Sequence, residues 1–86
     1  MNGSPTTRLL KRLRDGMESF TESERLLANV ILTDRQGIPF ETAASLAGKL
    51  DISAVTVGRF ARRLGYRNFR ELKGDLKFDI AAMPWP

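Results

Sequence analysis

The apolar residues of this chain recur every three or four positions through most of its 86 residues. This is the period of an α-helix that buries one side, and no stretch shows the two-residue alternation of a half-buried strand. The pattern therefore predicts an all-α fold, a compact domain of five helices. The apolar positions of these helices are, in chain order, Leu9, Leu10, Leu13 and Met17; Leu26, Leu27, Val30 and Ile31; Leu46 and Leu50; Val57, Phe60, Ala61 and Leu64; and Phe69, Leu72, Leu76 and Ile80.

Capping residues set the expected helix ends. Thr21 and Glu24 have the spacing of a capping box, so the second helix should begin there. Ser53 and Asn68 are N-cap residues for the fourth and fifth helices. Gly65 should end the fourth helix with a positive φ. The expected limits are 6 or 7 to about 16, 21 to about 33, 41 or 42 to about 50, 53–64 and 68–80, with a loop over 34–40.

The ends of the chain differ in composition from the middle. Residues 1–5 are rich in glycine, serine and proline, and we predict that they are disordered. Residues 81–86 end in MPWP and form a tail. The helical domain is predicted to occupy residues 6–80.

Positive charge is concentrated in the last third of the chain. Residues 1–58 carry seven basic and seven acidic side chains, which cancel, whereas residues 59–86 carry seven basic against three acidic. The net charge of +4 therefore lies there. Such a patch attracts polyanions, although charged helices also present solvated faces with no ligand.

The composition argues against catalysis, metal binding and membrane insertion. The chain has no cysteine and no histidine, which removes the usual nucleophiles, bases and transition-metal ligands. We expect no cofactor and no enzymatic activity. No apolar run approaches the roughly 18 residues of a membrane span, and the N-terminal residues lack a signal-peptide core. A cytoplasmic protein is the default expectation.

The third and fourth helices have the pattern of a helix-turn-helix. Two helices joined by about three residues can cross steeply only where a small residue lets the backbones approach, and Ala47 meets this need. Asp51, Ile52 and Ser53 fill the turn, with Ile52 expected beneath it in the core. We predict a recognition helix over about 53–64.

The outward side of the predicted recognition helix suits a DNA major groove. Small side chains come first, so the backbone can approach closely, and arginines follow one turn later. Arg59 is placed to bond a guanine edge, Ser53 and Thr56 a phosphate or base, and Ala54 or Val55 a thymine methyl. The candidate DNA-binding residues are Ser53, Ala54, Val55, Thr56, Gly58, Arg59, Arg62, Arg63, Tyr66 and Arg67.

Alternatives to DNA binding stay open at this point. Short helix pairs with a serine cap are common in all-α proteins, so a plain helical module fits the same pattern. A basic face also suits an acidic protein or RNA. Tyr66 either packs its ring in the core and offers its hydroxyl to a phosphate, or is simply a core residue, and we expect a core ring with a solvated hydroxyl. Leu9, Leu10, Leu13 and Met17 form either a dimer interface or part of the core.

Three motifs together resemble the N-terminal DNA-binding domain of RpiR/MurR-type bacterial transcriptional regulators. They are TVGRF at 56–60, RRLGY at 62–66 and FRELK at 69–73, within a similarity over about residues 7–80. The resemblance implies five helices, a helix-turn-helix without a wing, and a homodimer on a palindromic operator of double-stranded DNA.

The resemblance also implies a role in sugar or phosphosugar metabolism. Such regulators usually continue into a sugar-isomerase domain that senses a phosphosugar, so we expect this chain to be an excised domain or truncated product. The chain departs from the family at Asp51, where glycine is common; aspartate tolerates a left-handed backbone at modest cost. Gly58 is expected to permit close approach to DNA.

Overall fold

Five α-helices and one short 3₁₀ turn make up this computed structural model. It describes the backbone of residues 5–82 and the side chains of residues 7–77, and no strand occurs within that span. The all-α, five-helix prediction is therefore confirmed. The elements are α1 (Pro5–Gly16), α2 (Glu22–Thr33), the 3₁₀ turn (Ile38–Phe40), α3 (Ala43–Leu50), α4 (Ala54–Arg63) and α5 (Phe69–Ala82).

The structure describes only part of the predicted disordered segment, residues 1–5, and of the predicted tail, residues 81–86. Helix α1 begins at Pro5, within the segment expected to be disordered, and α5 runs to Ala82, into the expected tail. Residues 1–4 and 83–86 lie outside the described residues. The side chain of Ile80 does too, and with it the prediction that Ile80 lies on the apolar side of α5.

Side-chain caps begin the four later helices. Thr21 and Glu24 form the predicted reciprocal capping box of α2. The Ser53 hydroxyl accepts the Thr56 N–H at 3.1 Å, and the Asn68 amide oxygen accepts the Glu71 N–H at 2.9 Å. These caps are confirmed.

Helix α3 begins later than predicted because Thr42 is its cap rather than its first residue. Thr42 and Ser45 form a second capping box, which was not predicted. The loop before it is also more ordered than expected. It contains the 3₁₀ turn, in which Ile38 and Pro39 are buried and Phe40 is 87% exposed.

All five helices and the 3₁₀ turn contribute side chains to the core. One expectation about it is wrong, and one buried residue was not predicted. Leu26 is 44% exposed, and Ala28 is buried in its place beside Leu27 and Ile31. At 100° per residue, Leu26 lies off the line through the latter three. The buried apolar side chains are Leu9, Leu13, Phe20, Leu27, Ala28, Ile31, Ile38, Leu46, Ala47, Val57, Phe60, Ala61, Leu64, Phe69, Leu72 and Leu76.

Helix α1 is part of this core. Leu9 and Leu13 are fully buried within the chain, so they are not available to a second copy. Leu10 and Met17 are only partly buried. Of the two interpretations of this apolar stripe, packing on its own core is correct for Leu9 and Leu13.

Helices α3 and α4 end in the same way. After α3, Asp51 takes the left-handed conformation (φ 58°, ψ 45°) and the Ile52 N–H bonds to Ala47 O at 3.0 Å. After α4, Gly65 has φ 99° and the Tyr66 N–H bonds to Ala61 O at 3.0 Å. This is the Schellman pattern, which turns the chain sharply.

Candidate nucleic-acid interface

Helix α4 has one buried side and one exposed side. Val57, Phe60, Ala61 and Leu64 are buried, as their spacing predicts. On the other side Ala54, Val55, Arg59 and Arg62 are exposed and Gly58 is half-buried. Val55 is 60% exposed although its side chain is apolar. The outward face of α4 is therefore uncovered within the chain.

The first turn of α4 is slim and rich in hydrogen-bonding groups. The hydroxyl oxygens of Ser53 and Thr56 lie 2.8 Å apart, and the Ser53 hydroxyl caps the helix. Ala54 and Val55 present only small aliphatic groups beside them. A helix start of this kind carries partial positive charge and lets a ligand come close to the backbone.

The middle of α4 carries the cations of this face. Arg59 and Arg62 are both exposed. A Cβ atom on Gly58 would lie 3.9 Å from Arg62 Nη1, so this guanidinium lies beside the bare backbone at Gly58. The outward face thus combines an apolar contact, a close-approach position and forked cationic donors.

Arg63 and Tyr66 have partners within the chain. Arg63 Nη2 donates to Ser19 O at 3.1 Å. The Tyr66 hydroxyl donates to Asp75 Oδ2 at 2.5 Å. Burial, and then the bond to Asp75, raise the pKa of the Tyr66 hydroxyl above its ordinary value. Tyr66 is half-buried against the core, as expected, but its polar tip bonds to Asp75.

Arg67 lies in the turn between α4 and α5. Its side chain is 88% exposed, and Nε is 3.8 Å from Glu71 Oε2. An ion pair this exposed contributes little to stability, so the guanidinium can exchange it for another anion.

A second basic region, which the sequence patterns did not predict, lies where α5 meets the start of α3. A cleft of about 340 Å³ there is lined by Thr42, Ala43, Asn68, Phe69, Arg70, Lys73 and Lys77. Lys73 Nζ donates to Glu41 O at 2.7 Å and lies 5.4 Å from the centre of the Phe69 ring. The charge excess of the last third was the available signal for these residues.

Other site types find no support in the described part of the chain. Among residues 7–77 no three or more acidic side chains are grouped to hold a metal ion. No helix in the part of the chain described here is long and apolar enough to cross a membrane.

The fold, with a short helix, a tight turn and an exposed second helix, is that of a helix-turn-helix protein. The family model "Helix-turn-helix domain, rpiR family" matches residues 7–83, which is nearly the whole chain. The chain therefore belongs to the RpiR family of helix-turn-helix domains, the family that the three motifs resemble. Membership implies DNA binding.

Curated relatives agree with this assignment. HTH-type transcriptional regulator HexR of Pseudomonas aeruginosa is 32% identical over 74 residues, covering 86% of this chain and 26% of the relative. An uncharacterized HTH-type transcriptional regulator of Thermotoga maritima is 29% identical over 77 residues, covering 88% and 28%. The "Bifunctional protein glk" of Burkholderia mallei is 30% identical over 71 residues, covering 83% and 11%.

The chain spans about a quarter of the length of the first two relatives and about a tenth of the third. No solved structure matches it significantly.

Proposed function

We propose that this chain is the sequence-specific DNA-binding domain of a bacterial transcriptional regulator and that α4 reads bases in the major groove. The observation that carries this proposal is the uncovered face of α4, with Val55 60% exposed beside an exposed Arg59. A major groove admits an α-helix, and Arg is the commonest side chain to bond a guanine edge.

Each side chain on this surface has a role in the proposal. Arg59 contacts a base edge, and Ala54 or Val55 contacts a thymine methyl. Gly58 allows close approach, while Ser53, Thr56, Arg62 and Arg67 hold the phosphate backbone. The Tyr66 hydroxyl would donate to a phosphate only by giving up its bond to Asp75, whereas Arg63 already donates one N–H to Ser19 O.

We propose that two copies bind a palindromic operator in the cytoplasm. A single small module buries little DNA surface, so two half-sites are needed for high affinity. We further propose a role in sugar or phosphosugar metabolism, with a phosphosugar acting through a domain outside this chain. The resemblance to the family supports these finer proposals.

The test is selection of bound duplexes from a random pool by the full chain, followed by titration of the recovered sequence. We expect a palindrome with half-sites one helical turn apart. Binding to RNA or to an acidic protein with no selected duplex would favour the alternative, a helical interaction module that uses its basic face.

Substitution of Arg59 tests base reading directly. Arg59→Ala should weaken binding to the selected duplex by about 1–3 kcal/mol and relax its preference at one base pair. Arg14→Ala removes the same charge from an exposed position on α1 and is the control. Equal losses with Arg59→Ala on every duplex would contradict a base contact by this residue.

A further inference from the structure

The last turn of α4 is held by a side chain from the opposite end of the chain. Arg12 Nη1, on α1, donates to Leu64 O at 2.8 Å, in a partly buried bond between residues 52 positions apart. A Cβ atom on Gly65 would lie 3.3 Å from the same nitrogen. The guanidinium therefore lies directly against the turn that ends α4. A cation is favourable there because helix carbonyls carry partial negative charge at their C-terminal end.

A second guanidinium ties the same turn to the link between α1 and α2. Arg63 Nη2 donates to Ser19 O at 3.1 Å, and Arg63 Cζ lies 5.5 Å from the centre of the Phe20 ring. Nη1 is 3.7 Å from Glu24 Oε1. The Phe20 ring in turn packs edge-on against Phe60 of α4, with ring centres 5.2 Å apart. Arg63 and Phe60 thus attach one end of α4 to the same loop.

These contacts contrast with the free face of α4. The start of the helix presents Ala54, Val55 and Arg59 to the outside, whereas its last turn is bonded to α1 and to the α1–α2 link. The two guanidinium groups also line one cleft of about 500 Å³, together with Phe20 and Gly65. One N–H of each guanidinium is directed to a carbonyl oxygen of the protein, which suits an orienting role.

We propose that Arg12 and Arg63 are positioning residues that set the angle at which α4 enters DNA, and that neither contacts a phosphate. The inference rests on the proposed function. A base contact forms only if Arg59 comes within hydrogen-bond distance of the base. The bonds of Arg12 and Arg63 orient α4 and therefore govern selectivity without touching DNA.

The test uses Arg12→Met and Arg63→Met in the full chain, with Lys11→Met as the control. Lys11 is exposed, adjoins Arg12 on α1 and carries the same charge. Affinity is measured for the selected duplex and for a scrambled one at several salt concentrations, with the active fraction fixed by stoichiometric titration. This correction separates misfolding from misplacement.

We expect both Arg variants to lose about tenfold in affinity for the selected duplex, the order of one base contact. Binding to the scrambled duplex and the slope of log affinity against log salt should stay unchanged. Lys11→Met should keep the wild-type selectivity. Backbone amide NMR shifts over residues 54–63 should move in Arg12→Met and not in Lys11→Met.

Two results would overturn the inference while leaving the proposed function intact. One is a salt slope reduced by about 0.9 with equal losses on both duplexes, because that is the signature of a lost phosphate contact. The other is wild-type selectivity in both variants. If the wild-type protein selects no duplex, the proposed function itself fails. The selection experiment with the wild-type protein shows this without any variant.

Discussion

Asp51 and Gly65 occupy equivalent places after α3 and α4, and both have a left-handed backbone. Glycine takes this conformation without a Cβ penalty, whereas aspartate pays a modest one. The left-handed backbone is therefore a physical reason why glycine is common in the family at the position that Asp51 occupies here. It also predicts which of the two turns can be improved.

Asp51→Gly should raise the free energy of unfolding by about 0.5–1 kcal/mol, because it removes the left-handed strain. Urea denaturation followed by circular dichroism measures the change. Gly65→Ala is the matched opposite case and should lower stability, since its φ is 99° and Arg12 lies close by. A loss of stability in Asp51→Gly would mean that the carboxylate makes a contact worth more than the strain.

Titration of Tyr66 makes the free energy of unfolding depend on pH in the alkaline range. Its folded pKa is raised, first by burial and then by Asp75, so its contribution to stability is fully present below the unfolded value of about 10. That contribution is lost as the pH rises above this value. Because Tyr66 is the single tyrosine of the chain, tyrosinate absorbance reports it alone.

We expect the absorbance titration of the folded chain to be displaced upward from that of the urea-unfolded chain. Asp75→Asn, which removes the carboxylate charge, should reduce the displacement. Identical titrations in the folded and unfolded states would show that the Tyr66–Asp75 bond does not persist in solution.

At the scale of elements, local sequence patterns predicted most of the helix caps and the buried side of α4. The caps at Thr21, Ser53 and Asn68 and the buried stripe of α4 follow from spacing alone, and the structure confirms them. The Thr42–Ser45 box was missed because serine at the third helical position is a weaker signal than the Glu24 type. The bond from Arg12 to Leu64 O links distant positions, so no local pattern contains it.

Gly58 lowers the stability of α4 but, in the proposed function, allows the helix to approach DNA closely. A mid-helix glycine costs about 1 kcal/mol relative to alanine, and a Cβ atom there meets only Arg62 Nη1 at 3.9 Å. Gly58→Ala should therefore raise the free energy of unfolding by about that amount. It should also weaken binding to the selected duplex, because the added methyl keeps the backbone away from the bases.

Gly74→Ala on α5 is the control for this prediction. Its Cβ atom would meet nothing within 4 Å, so it should stabilise the fold similarly and leave DNA affinity unchanged. Thermal unfolding and duplex titration of both variants make the comparison. Undiminished affinity in Gly58→Ala would show that close approach at this position is unnecessary.

At the scale of the whole molecule, the burial of α1 bears on assembly. Leu9 and Leu13 belong to the core, whereas Leu10 on α1 and Met17 just after it are only partly buried. A stable dimer needs about 1,200 Å² or more of buried surface, and the fully buried Leu9 and Leu13 contribute nothing to such an interface. The packing of α1 could not be predicted from the sequence, because helical spacing shows an apolar side without showing what covers it.

We expect the isolated chain to sediment as a monomer and to occupy a palindromic duplex with two copies. Sedimentation velocity with and without the selected duplex measures both states. A duplex with one half-site scrambled should bind a single copy. Sedimentation of the free chain as a tight dimer would show that a surface other than the buried side of α1 joins the copies.

The separation of the two sides of α4 has an evolutionary consequence. Ala54, Val55 and Arg59 make no part of the buried cluster, so exchanging them leaves the interior untouched. With the proposed base-reading role of these residues, a lineage can therefore acquire a new target site by a few substitutions without passing through a misfolded intermediate, and an engineer can graft the outward residues of one regulator onto another.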